Sequence, residues 1–227
     1  ILKWLERKNA HTAQKIITNS KITSMGVSNI MGADPAKVKT VYCGYDEQYH
    51  PRPQAAQTLK EDLGLKGPIL YYIGRIAFYK GVEQIIQAYL QAKEQIPELN
   101  LIIGGKPTLK MEQEVARWKK QYPEVHFAGL IPEDLMSTYY TMADAFVTYS
   151  FASEGFGITP IEAIACGTPV ICSDMPAYQE ILEDNAWFVP KNSPNLLAEA
   201  FIDFFTHPEK QKSLLAKGQA HIKKYTW

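Results

Sequence analysis

The hydrophobic pattern changes character near residue 47. From residue 69 onward, short runs that are apolar throughout alternate with longer stretches whose apolar positions recur every three or four residues. Residues 69 to 73 form a predicted strand closed by Gly74. A helix follows over 82 to 95, with Val82, Ile85, Ile86, Tyr89 and Leu90 on one face. Residues 99 to 103 are a second strand, closed by Gly104 and Gly105. A helix over 110 to 121 leads to a strand at 125 to 127, closed by Gly129. Next come a helix at 133 to 143, a strand at 144 to 149, a Gly-rich loop and a short helix to Cys166. The pattern closes with a strand at 169 to 172, a helix at 177 to 183 and a strand at 186 to 189. Two helices, near 193 to 206 and 208 to 224, complete it. Strands without polar alternation, separated by helices, predict an α/β domain: a Rossmann-like parallel sheet with helices on both faces.

The first 46 residues read differently. An amphipathic helix over 1 to 14, a short strand at 15 to 20 and a helix near 23 to 31 precede a Pro/Gly/Tyr-rich stretch, Val41-Tyr42-Cys43-Gly44-Tyr45-Asp46. A helix-strand-helix cannot bury a core of its own. Residues 1–46 are therefore expected to be the end of a preceding domain plus its linker, and residues 47–227 the α/β domain. The chain opens Ile-Leu-Lys-Trp and stops at Tyr225-Thr226-Trp227, so both ends are read as cut.

Composition narrows the partners. Of 227 residues, 46% are hydrophobic and 21% charged, with 24 basic and 24 acidic side chains giving no net charge. No field of one sign draws the chain to nucleic acid or an anionic surface. The five histidines, at 11, 50, 126, 207 and 221, show no ligand spacing, so no metal site and no cofactor are expected. Cys43, Cys166 and Cys172 are an odd set without a CxxC pair, read as reduced thiols of a cytoplasmic protein. No apolar run approaches the roughly 18 residues needed to span a bilayer.

Chemistry concentrates in the loop Ser153-Glu154-Gly155-Phe156-Gly157-Ile158-Thr159-Pro160-Ile161-Glu162. Thr159 as N-cap, Pro160 at the first helical position and Glu162 three residues on predict a capping box, with Gly167 ending the helix. Gly155 and Gly157 allow close backbone approach, and a helix start offers free N–H groups and a positive dipole end to an anion. One such contact contributes only about 0.3–1 kcal/mol at an exposed site, so a diphosphate needs cations as well. Arg75, after the first strand, and Lys80, before the next helix, are the candidates. Glycines and polar residues gather after strands, and in open parallel sheets ligands bind at that rim. The carboxylates Glu154 and Glu162 would repel phosphate but suit the paired hydroxyls of a ribose or a hexose.

These residues carry a resemblance. Glu154 through Glu162, followed by Ala163-Ile164-Ala165-Cys166-Gly167-Thr168-Pro169-Val170, resembles the paired-glutamate signature of the group 1 (family 4) glycosyltransferases. Gly74-Arg75 with Lys80-Gly81 is similar to that family's Gly-Arg and Lys-Gly pair. Cys43-Gly44-Tyr45-Asp46 is similar to its interdomain hinge, with Cys43 in place of the usual Asn. The resemblance implies the C-terminal, donor-binding half of a GT-B fold, in a retaining, metal-independent hexosyltransferase. It implies that Arg75, Lys80 and the backbone around Gly155, Phe156, Gly157, Ile158 and Thr159 hold the diphosphate of a nucleotide sugar. Glu162 would then bind the ribose and Glu154 the transferred sugar, with a possible electrostatic role in catalysis. The base would lie near Gly129, Leu130 and Ile131, met largely by main chain.

The implied partners are a UDP or GDP sugar, an acceptor that is a glycan, lipid or small molecule, and the N-terminal domain of the same protein. That domain could carry the protein to the cytoplasmic membrane face. A nucleotide-sugar binding module without transfer, or an epimerase on the same fold, remains the alternative. The fragment by itself is expected to bind nucleotide without turnover.

Overall fold

The computed structural model describes residues 2–152 and 154–227. The strands are β1 (Ile16–Thr18), β2 (Val38–Thr40), β3 (Ile69–Ile73), β4 (Asn100–Gly104), β5 (Val125–Gly129), β6 (Ala145–Thr148), β7 (Val170–Ser173) and β8 (Trp187–Val189). The helices are α1 (Leu2–Thr12), α2 (Lys21–Met31), α3 (Pro53–Asp62), α4 (Val82–Lys93), α5 (Glu112–Gln121), α6 (Glu133–Met142), α7 (Ile158–Ala165), α8 (Pro176–Leu182), α9 (Pro194–Thr206) and α10 (Pro208–His221).

Strands β3 to β8 form one parallel sheet in the order β5-β4-β3-β6-β7-β8. The chain builds outward from β3 in one direction, returns to β6, and builds outward in the other. Tyr71 pairs with Ile102 on one side and with Phe146 on the other. The seam between β3 and β6 is thus the topological switch point, where the connections leave to opposite faces, the place at which open parallel sheets bind ligands.

Side chains alternate across the sheet as the pleat requires. Leu70, Tyr72, Leu101, Ile103, Ala145 and Val147 pack against α4, α5 and α9. Ile69, Tyr71, Ile102, Phe146, Val170 and Cys172 pack against α6, α7 and α8. Burial on both faces is why these runs carry no polar alternation.

Two elements lie outside the sequence expectation. Strand β2 pairs in parallel with β1, Ile16 opposite Val38, but three residues with one apolar side chain give no periodic signal. Helix α3 is polar over most of its length and buries Ala56, so its amphipathic stripe is too narrow to read. The helix expected over 208 to 224 ends at His221 and continues as a 3-10 turn over Ile222–Lys224.

The segment 1–46 is tied to the sheet domain through α2. Both oxygens of Glu180, on α8, accept from the first helical N–H groups of α2, those of Lys21 at 2.7 Å and Ile22 at 2.9 Å. All three cysteines are free, Cys166 and Cys172 within the core. No helix among the described residues is long and apolar enough to cross a membrane.

Candidate active site

The connections after β3 and β6 meet at the switch point. After β3 the chain runs through Gly74 and Arg75 into a 3-10 turn, Phe78–Lys80. Gly81 follows with φ 66°, and a Cβ there would run into the Tyr149 carbonyl. This close approach requires glycine. The Phe151 N–H donates to the Tyr79 carbonyl at 2.9 Å, stitching this turn to the loop after β6.

Lys80 and Glu154 are thereby brought together. The Lys80 ammonium lies 2.7 Å from Glu154 Oε2, with one fifth of the lysine side chain and 11% of the glutamate exposed. The same oxygen accepts from the Tyr178 hydroxyl at 2.9 Å and from Ser150 Oγ at 3.1 Å. Tyr178 is in turn within 2.9 Å of Thr148 Oγ1. The Glu154 carboxylate is thus fixed by one charged and two neutral donors. Lys80 is ion-paired with Glu154 rather than free to meet an anion. Arg75 is exposed on the rim, its Nη2 donating to the Tyr79 hydroxyl at 3.0 Å.

The start of α7 corrects the capping-box expectation. The N-cap is Gly157, φ 86°, with no side-chain cap bond, and α7 begins at Ile158. Thr159 and Pro160 already lie inside the helix. Glu162 is too far along to reach back, and its side chain is drawn inward instead. The N–H groups left without a helical acceptor are those of Gly157, Ile158 and Thr159, since Pro160 has none. A Cβ on Gly157 would sit 2.6 Å from the Tyr178 ring, so the turn into α7 wraps closely over that ring. Gly167 ends the helix with φ 86°, as expected. Ser153 lies outside the described residues.

Glu162 is buried, 8% exposed, and its Oε2 accepts from the Tyr140 hydroxyl at 2.8 Å. Burial pushes its pKa up to about 7, the Tyr140 hydrogen bond pulling the other way. Phe156 is also turned inward: its ring packs against Tyr42 at 6.2 Å and Tyr225 at 5.8 Å. Only its main chain is left to meet a ligand. Gly155 has room for a Cβ at ordinary contact distance from Asn19 and Thr23.

Leu130 is exposed just beyond the end of β5, the far edge of the same rim. Between them, a cavity of about 270 Å³ opens at the ends of β4 and β5, lined in part by Gly105, Lys106, Phe127 and Gly129. Among the described residues no group of three or more His, Cys, Asp or Glu side chains is gathered to hold a metal ion.

Sequence reasoning did not single out Ser150, Tyr178, Tyr140 or Ser20. Tyr178 falls at core spacing with Ala177, Ile181 and Leu182, and nothing local distinguishes it from a packing residue. Its hydroxyl acquires a role only through the fold.

The site thus consists of a glycine-led helix start, the Arg75 guanidinium and the Lys80–Glu154 pair, set at the switch point of a Rossmann-like sheet. A family model, glycosyl transferases group 1, matches residues 55–221, and the chain belongs to that family. The chain is 26% identical to a D-inositol 3-phosphate glycosyltransferase of Kribbella flavida, over 98% of this chain and 55% of that protein. It is 27% identical to spore coat protein SA of Bacillus subtilis, over 88% of this chain and 58% of that protein. It thus spans little more than half the length of these relatives. The crystal structure of Anabaena HepE in complex with UDP and glucose superposes with a TM-score of 0.88 at 21% identity, over 100% of this chain and 64% of that one.

Proposed function

We propose that this chain is the donor-binding half of a retaining glycosyltransferase that moves a hexosyl group from a nucleoside-diphosphate sugar to an acceptor. The observation that carries this reading is the meeting, at one switch point, of the Gly157 helix start, the Arg75 guanidinium and the Lys80–Glu154 pair. The diphosphate sits on the N–H groups of Gly157, Ile158 and Thr159, with Arg75 closing over it. Lys80 swings from Glu154 to the β-phosphate, where it meets the charge that builds as the sugar departs. Glu154 is then released to accept a sugar hydroxyl. With Tyr178 and Ser150 still donating to it, the carboxylate suits positioning and electrostatic support, and this favours same-face attack over a covalent glycosyl-enzyme.

Glu162 takes the ribose, and the base lies toward Gly129, Leu130 and the adjoining cavity. The UDP bound to HepE makes uridine nucleotides the first to try. The acceptor and the opposite cleft wall belong to a separate N-terminal domain, so the chain alone binds nucleotide without turnover.

A thermal-shift panel of UDP, GDP and ADP with their sugars tests this. Binding raises the melting temperature by an amount set by RT ln(1 + [L]/Kd), so one base should stabilise and the others should not. Arg75→Ala should abolish that shift. A shift that survives Arg75→Ala, or no shift with any nucleotide, sinks the phosphate assignment.

A further inference from the structure

We propose that Ser20 is a positioning residue for the donor loop, holding the Gly155 carbonyl from the opposite side of the chain's fold. The idea rests on the donor-loop reading and extends it to a residue 135 positions away in sequence.

Ser20 precedes α2 and is fully buried. Its Oγ lies 2.6 Å from the Gly155 carbonyl oxygen, which can only accept, so the single hydroxyl proton goes there. The same Oγ accepts from the Thr23 N–H at 3.1 Å, capping α2; the Thr23 hydroxyl lies 2.8 Å from it, and has Asn19 Oδ1 at 3.1 Å and the Gly155 carbonyl oxygen at 3.3 Å as alternative acceptors. Rotating the serine hydroxyl off the loop would cost the α2 cap as well.

The contacts close a circuit. Glu180 on α8 grips the start of α2 through two N–H groups. Helix α2 delivers Ser20 to Gly155. Gly155 adjoins Glu154, whose carboxylate returns to Tyr178 on α8. Tyr42, past β2, adds the Phe156 ring contact from the same segment. Gly155 is conformationally free by itself; two anchors on either side of its peptide remove that freedom. The geometry sets both the Glu154 carboxylate and the helix start two residues on, whose N–H groups are among the proposed diphosphate ligands.

The test is Ser20→Gly in the full-length protein. Glycine deletes the hydroxyl and is itself a well-tolerated N-cap, so α2 is little disturbed. Ligand-free hydrogen exchange at Phe156 and Gly157 should quicken about three- to tenfold, the effect of one lost hydrogen bond. Turnover of the sugar donor should fall roughly ten- to a hundredfold, as for a misplaced reacting group, while affinity for the nucleoside diphosphate falls by a smaller factor, because Arg75 and the N–H groups of Ile158 and Thr159 are untouched. Glu180→Gln, which weakens the grip on α2, should show the same split to a lesser degree.

Unchanged exchange in both variants overturns the tether. Quickened exchange with unchanged turnover overturns its use in positioning, as does a loss of protection throughout the core. Wild-type protein that binds no nucleoside diphosphate removes the donor reading itself and this role with it. That outcome is distinguishable, because it appears before any substitution is made.

Discussion

Glu162 illustrates how far a residue's setting can depart from its local motif. By spacing it completed a capping box; in the fold it is enclosed against Tyr140 with its pKa raised to about 7 from an ordinary 4.5. The folded protein therefore keeps a proton there that the unfolded chain gives up across that window. The stability linked to this group is full below about pH 4.5 and is lost as the pH rises through about 7. Glu162→Gln keeps an acceptor for Tyr140 and removes the titration. Its melting temperature should match wild type near pH 4, exceed it increasingly as the pH rises to about 7, and keep a constant lead above that. Parallel profiles from calorimetry over that range would show that burial does not govern this carboxyl.

At the scale of the element, the loop and α7 form a unit whose glycines are unequal. Gly157 adopts φ 86° and passes within 2.6 Å, measured from a built Cβ, of the Tyr178 ring. Gly155 meets nothing closer than 3.4 Å. Gly157→Ala should therefore cost about 1–3 kcal/mol through backbone strain and crowding. It should also weaken nucleotide binding, because the strained turn displaces the N–H groups at the start of α7 that the proposed diphosphate site uses. Gly155→Ala should fold with near wild-type stability. Denaturant titration of the pair decides the point: equal losses would mean that the loop, not the Tyr178 contact, sets the requirement.

The sequence showed that a glycine-led loop feeds a helix here, since Gly, Thr and Pro leave few other conformations. It misplaced the cap by two residues because Thr159 is a good N-cap in isolation, whereas the packing of Gly157 on Tyr178 starts the helix sooner. Helix α3 and strand β2 were missed for a related reason. Their stability comes from neighbours, α6 and β1, and not from a stripe of their own.

For the molecule as a whole, the sheet order brings two halves together at one seam. Lys80 belongs to the connection after β3 and Glu154 to the one after β6, so their 2.7 Å contact bridges the switch point. A double-mutant cycle over Lys80→Ala and Glu154→Ala should give a coupling of about 0.5–3 kcal/mol, the range for directly contacting groups. Lys80→Ala alone should be the more costly change, since it leaves an enclosed carboxylate with two neutral donors. Additive effects in chemical denaturation would mean the pair is open to water and contributes nothing across the seam.

The sequence by itself determined the parallel sheet and the glycine-led helix start at α7, and it singled out Arg75, Lys80, Glu154 and Glu162 as candidates for a site there. These follow from composition and period, which act over a few residues and can be read along the chain. The tertiary structure alone decided which of those groups meet. Lys80, Ser150 and Tyr178 converge on one oxygen of Glu154, Glu162 turns inward to Tyr140, and Ser20 reaches the loop from the far end of the chain. Those distances are set by strand order and helix docking. They are sums over the whole fold, and no spacing in the sequence encodes them.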